Sequence, residues 1–103
     1  MEHAKLTIMD ERKKAYEEKI NAQLEERRAE LQKLKAQADQ KKADAKLELQ
    51  EKIDRLEAQQ DTLQNKAEEV KQATGDAWED LKQGFSDAWD DMSRSLEEAR
   101  SKF

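Results

Sequence analysis

Cysteine and proline are absent from this 103-residue chain, and glycine occurs only twice. Without cysteine the chain has neither disulfides nor thiolate chemistry. Because there is no proline and no glycine before Gly75, the usual residues that end a helix or form a tight turn are missing from the first 74 positions. The single histidine, His3, lies close to the first residue, and we expect it at the surface and not in a catalytic or metal site.

Residue patterns that support catalysis or cofactor binding are also missing. The two glycines stand nine residues apart and form no phosphate-binding loop. The acidic cluster Asp87, Asp90 and Asp91 has helical spacing and does not follow a calcium-binding loop pattern. No nucleophile is paired with a base. The sequence therefore predicts a protein that is not an enzyme, with no cofactor, metal or small-molecule substrate.

Long apolar runs are lacking as well. Residues 1–9 contain no apolar leader segment, and no run approaches the ~18 residues that a membrane-spanning helix needs. The expected location is the cytoplasm.

Charged residues are abundant, at 44% of the chain against 35% hydrophobic residues. Residues 27–46 carry a net charge of +4, whereas residues 1–26, 47–75 and 76–103 carry −2, −3 and −4. Because the whole chain has a net charge of −5, nucleic acid is not an expected partner, although this basic segment is the one place that would favour it.

Apolar residues recur three or four positions apart, or at small multiples of that spacing, through most of the chain. This period places them on one side of a helix whose remaining surface is charged. We call this set the stripe: Tyr16, Ile20, Leu24, Leu31, Leu34, Leu49, Ile53, Leu56, Leu63 and Val70, with Ala38, Ala45 and Ala67 in the same phase. A stripe this narrow predicts a helix covered by another helix, as in a coiled coil.

Gly75 is the strongest break in the sequence. It follows Ala73 and Thr74 as a residue that accepts positive φ at a helix end. Asp76 comes next as a preferred N-cap, and Glu79 lies three residues later, in a variant of the capping box. Gly75 and Asp76 thus predict a turn between two helices.

The predicted fold class is all-α. We expect a long charged helix over about residues 5–73 and a shorter amphipathic helix over about 77–102, assembled as a coiled coil or helical bundle, which divides the chain into units 1–74 and 75–103. Residues 36–45 lack large apolar side chains but also lack glycine, proline and a clear cap. The alternative is therefore a three-helix hairpin bundle with a break near residues 39–43.

The last quarter of the chain contains an eleven-residue repeat. The segment 76–81 (DAWEDL) returns at 87–92 (DAWDDM), and eleven residues make three helical turns. The repeat aligns one apolar surface, which we call the aromatic face: Trp78, Leu81, Phe85, Trp89, Met92, Leu96 and Phe103. It can pack on roughly residues 48–73 of the same chain or a partner, or dock on a membrane or client protein. The acidic polar side of this helix argues against lipid.

Several short segments resemble a family of small, stress-associated coiled-coil proteins of cyanobacteria and proteobacteria. They are KAY at 14–16, AQL at 22–24, KLKAQAD at 33–39, ADAK at 43–46 and, as the most specific, TGDAWEDLK at 74–82 followed by AW at 88–89. The resemblance covers nearly the whole chain. It implies a helical bacterial protein associated with stress, and it brings no catalytic residue with it.

Two functions from different classes follow from these features. The first is a non-catalytic, self-associating coiled-coil protein that acts as a stress-related structural or protein-interaction module, with itself as partner in a dimer or higher oligomer. The alternative is a protective amphipathic helix that covers a membrane surface or a protein client through Trp78, Phe85 and Trp89.

Overall fold

The chain folds into three consecutive α-helices in a computed structural model that describes the backbone of residues 2–102 and the side chains of residues 11–102. The helices are α1 (Glu2–Asp39), α2 (Ala43–Gln72) and α3 (Ala77–Arg100). No strand occurs in this part of the chain. The predicted all-α class is confirmed. Alanine, leucine, glutamate, lysine and glutamine, which favour helix, make up most of α1 and α2 but less than half of α3.

The helices run up, down and up in an elongated bundle of 64 × 19 × 17 Å. Contacts between the helices agree with this order: the side chain of Lys35 of α1 pairs with that of Glu57 of α2, and the side-chain amide of Gln59 of α2 donates to the backbone carbonyl of Asp91 of α3. Of the arrangements left open for the C-terminal helix, the structure shows packing on α2 of the same chain, where Lys102 also reaches Glu48.

The expected continuous helix over 5–73 is wrong, and the alternative break near 39–43 is what forms. Helix α1 ends with tight backbone bonds from Gln40 N to Gln37 O (3.2 Å) and from Lys41 N to Ala38 O (3.0 Å). Lys42 is then extended, with φ −67° and ψ 158°. Helix propensity favours continuation here, but folding back buries the stripe of α1 against the other two helices, and that burial outweighs propensity.

The core follows the stripe and the aromatic face along the bundle axis. Among the described side chains, sixteen apolar residues are buried. They are Ile20, Leu24, Leu31, Leu34 and Ala38 on α1; Leu49, Ile53, Leu56, Leu63, Ala67 and Val70 on α2; and Trp78, Phe85, Met92, Leu96 and Ala99 on α3. Ala45 is exposed although it shares the phase of the stripe, because the start of α2 projects beyond the end of α3.

Candidate interaction surface

The aromatic face of α3 is turned into the bundle. Trp78, Phe85, Met92 and Leu96 are buried, while Leu81 and Trp89 are half-buried and pack against the core. Phe103 lies outside the described residues. Trp78 is only 2% exposed, and no described hydrogen-bond partner reaches its indole Nε1. The aromatic face, which could have bound a partner, is therefore largely covered within this chain.

Tyr16 joins this face from the opposite helix. Its ring centroid lies 5.7 Å from that of Trp78 and 6.4 Å from that of Phe85, and the second contact is edge-to-face at 79°. Both separations fall in the favourable range for aromatic pairs. The Lys82 ammonium sits 5.6 Å from the centroid of Tyr16 and 4.9 Å from that of Trp78. Burial raises the pKa of the Tyr16 phenol.

Arg27 covers the second tryptophan. Its guanidinium carbon lies 3.7 Å from the centroid of the Trp89 ring, and the group donates to Glu30 (3.1 Å) and to the Ser93 hydroxyl. Glu30 in turn accepts from Arg100 at 2.9 Å. Arg27 is 8% exposed overall, so a cation is held between α1 and α3 by one carboxylate, one hydroxyl and one ring.

The stripe residues lie where their spacing indicated. Nine of them are buried: Ile20, Leu24, Leu31, Leu34, Leu49, Ile53, Leu56, Leu63 and Val70. Tyr16 is half-buried against them. Two polar residues of the same phase are buried too, Arg27 and Gln60, and sequence reasoning missed both. Their spacing to Leu24 and Leu31, and to Leu56 and Leu63, was the signal that could have found them.

Polar side chains attach α1 to α2 along their length. The Lys13 ammonium donates to the backbone carbonyls of Lys71 (3.1 Å) and Ala73 (2.6 Å), so it satisfies the C-terminal carbonyls of α2 from another helix. Farther along, Lys35 pairs with Glu57 at 2.5 Å. The residue types alone gave no sign of the role of Lys13.

The turn between α2 and α3 contains the predicted hinge residues. Gly75 has φ +61°, the left-handed conformation that favours glycine. A Cβ at Gly75 would meet nothing within 4 Å, so the strain of a substitution there would come from the backbone alone. Asp76 occupies the N-cap position, but its side chain makes no capping bond, and its backbone carbonyl accepts from Glu79 N instead (3.0 Å). The predicted capping box is not formed.

The described side chains offer only shallow clefts around the bundle. One cleft between α1 and α3 is lined by Arg12, Tyr16, Lys19, Trp78 and Lys82. No group of three or more potential ligands for a metal ion occurs among residues 11–102. None of the helices, where described, is long and apolar enough to span a membrane.

Comparison with known proteins gives no similarity: no family model, no curated protein and no solved structure matches the chain. The residues described above are therefore the basis for a functional proposal. Helix α2 packs more extensively against α3 than against α1, and polar side chains bridge α1 to both of them.

Proposed function

We propose that the protein is a non-catalytic, self-associating helical interaction module whose binding surface is the apolar groove of α2 and α3. Their eleven buried apolar residues form one surface, which we call the platform, and α1 lies on it with five of its described side chains. A surface that accepts the amphipathic α1 of its own chain also accepts an identical helix from another chain. Two copies can therefore associate through the platform with the same contacts that α1 already makes within one chain.

The unequal packing of the three helices carries this proposal. Helix α2 packs closely against both neighbours, whereas the backbones of α1 and α3 seldom approach each other. Long side chains bridge that gap, chiefly Tyr16 to Trp78 and Arg27 to Trp89. Because α2 packs more extensively against α3 than against α1, and α1 is joined to α3 chiefly by side-chain bridges, we infer that α1 is the helix that detaches at least cost.

Size-exclusion chromatography with light scattering tests the proposal. Across micromolar to millimolar loading, we expect the mass to rise from one chain to two, and the melting temperature to rise with concentration. Tryptophan emission should stay blue-shifted, because Trp78 is buried in either state. A single-chain mass over the whole range would contradict self-association.

The protective function, on a membrane or a client protein, remains the second candidate. Trp89 favours it, because this ring is only half-buried and Arg27 is its cover. Trp78 and Phe85 are buried, so α3 would have to detach at Gly75 before the whole aromatic face could bind. Anionic and neutral vesicles, added in turn, should change tryptophan emission and α-helical content if this function operates. No change with either vesicle, and none with an unfolding client protein, would exclude it.

The stress-related, bacterial context is part of the proposal and is supported by the resemblance of residues 74–82 and 88–89 to the stress-associated coiled-coil family. Measuring the amount of the protein in its host before and after heat, salt and oxidative stress tests it. A constant amount under all three conditions would count against a stress-related function.

A further inference from the structure

We propose that two copies of this chain self-associate by exchanging α1, and that α1 and α2 then join into one continuous helix through residues 40–42. The partner is a second copy of the chain, and each α1 lies on the platform of the other copy. This inference rests on the proposed function and specifies how the self-association occurs. Three observations at the turn carry it.

The first observation is the composition and conformation of the turn. Its residues are Gln40, Lys41 and Lys42, all good helix formers, and no residue there has positive φ. The ψ of Lys42, 158°, must change greatly to continue the helix. The ion pair that spans the turn, Lys46 with Asp39, is 3.7 Å long, and its side chains are 48% and 73% exposed. This ion pair therefore contributes little to the stability of the turn.

The second observation is the phase of the buried residues on either side of the turn. The last buried apolar residues of α1 are Leu31, Leu34 and Ala38, and the first ones of α2 are Leu49 and Ile53. Ala45 fills the interval, seven residues after Ala38 and four before Leu49. These are the intervals of one uninterrupted amphipathic helix, so both arms present their apolar sides in one direction when the turn straightens. Two helices that are only joined by a turn do not need their apolar residues to keep one spacing across that turn.

The third observation is what is left uncovered beside the turn. Residues 39–48 are exposed without exception, Leu47 at 70%, more than any other large apolar side chain described. In an exchanged dimer the two-fold axis passes near the straightened turn, where two such segments meet antiparallel. Ala45 is exposed in the single chain, lies on the stripe side with Ala38 and leaves room for close approach there, whereas Leu47 lies on the opposite side of the helix. Uncovered surface in the single chain becomes interface in the pair.

Ala43→Pro separates the two conformations. In the hairpin, Ala43 is the first residue of α2 and exposed, and the preceding Lys42 already has the extended conformation that a residue before proline adopts. In the continuous helix the same proline would be internal, where it removes a hydrogen bond and clashes with the preceding turn. We expect dimerisation to weaken by roughly a thousandfold or more, since two chains are affected. Ala43→Ser, at the same exposed position, should dimerise like the parent.

Cross-linking within the isolated dimer identifies the exchange. Two double-cysteine variants are made in the cysteine-free chain. The first places cysteines on α1 and α2, as Lys35→Cys with Glu57→Cys, and the second places them on α2 and α3, as Gln59→Cys with Asp91→Cys. Each full-length variant is slowly cooled from its unfolding temperature at high concentration, and its dimer fraction is treated with a short bismaleimide. The exchange predicts a covalent dimer from the first pair and single chains from the second.

The outcomes separate the mode of association from association itself. A dimer in which both pairs link within one chain overturns the exchange but leaves self-association standing. A dimer of undiminished affinity in Ala43→Pro also overturns the exchange. A chain that never forms a dimer, in the parent or in Ala43→Ser, overturns the exchange and the proposed self-association together.

Discussion

The guanidinium of Arg27, on α1, is stacked 3.7 Å above the Trp89 ring of α3. This contact closes the wide α1–α3 side of the bundle near its middle and shields a ring that the core itself leaves half-buried. The same guanidinium donates to Glu30, which also holds Arg100. The guanidinium of Arg27 thus links α1, the helix that we propose detaches, to α3, which belongs to the platform.

Arg27→Ala should therefore destabilise the protein and expose Trp89. We expect a loss of about 1–3 kcal/mol in the free energy of unfolding, from the stacked cation, its charged hydrogen bonds and its buried stem. Chemical denaturation measures the loss, and acrylamide quenching in a Trp78→Phe background reports on Trp89 alone. Arg28→Ala, at an exposed neighbour that donates to Glu25 and to Gln64 of α2, is the control and should cost less stability than Arg27→Ala. Equal effects of the two variants would contradict the role of the stack.

Gln60→Leu should stabilise the bundle. Gln60 is 8% exposed at a stripe position, and neither its amide nitrogen nor its amide oxygen has a partner among the described residues. Replacing it with leucine removes the cost of burying unpaired polar atoms, about 1–2 kcal/mol, which corresponds to roughly 5 °C in Tm. Calorimetry checks this. Gln50→Leu, at an exposed residue of the same helix, is the control, and a Tm of Gln60→Leu below that of the parent would refute the prediction.

Lys13→Met should weaken the end of the bundle at which α2 stops. The ammonium of Lys13 donates to two terminal carbonyls of α2, whereas methionine keeps the apolar stem and loses both bonds. We expect a loss of about 1 kcal/mol, smaller at high salt because the interaction with the helix terminus is partly screened. Urea unfolding at two salt concentrations measures it. Lys14→Met, on the exposed neighbour, should leave stability nearly unchanged; a matching loss there would point to charge and not to capping.

Tyr16 gives the protein a specific response to alkaline pH. Burial raises the pKa of its phenol in the folded state above the ordinary value of a tyrosine, about 10. Above pH 10 the unfolded chain therefore loses this proton more readily than the folded one, so stability that is complete below that pH falls as pH rises through the folded pKa. Absorbance at the tyrosinate band follows the only tyrosine of the chain directly.

Tyr16→Phe supplies the control for that titration. It keeps the ring contacts with Trp78 and Phe85 but removes the ionisable group. The alkaline loss of stability should be smaller in Tyr16→Phe than in the parent, because only general lysine titration remains. Identical alkaline profiles for the two proteins would show that the buried phenol is not linked to folding.

Periodicity and turn chemistry predicted most of the fold. Gly75 marked the second turn, and the eleven-residue repeat identified the buried face of α3. The break after α1 is predicted only as the alternative fold, because Gln40, Lys41 and Lys42 carry no local signal that ends a helix. What determines the break is the burial of the stripe of α1 by residues that are distant in the sequence. Arg27 was missed for a related reason: a charged side chain at a stripe position is buried only where Trp89 and Glu30 receive it.

The most direct test of the central claim, that α1 is the detachable helix on a platform of α2 and α3, is native-state hydrogen exchange resolved by residue. We expect amides within residues 13–35 to exchange through an opening that costs less free energy than the opening of α2 and α3. The best-protected amides of α2 and α3 should share one higher value, because those helices open together. If the amides of α1 share that same value, the three helices unfold as a single unit, and the claim is contradicted.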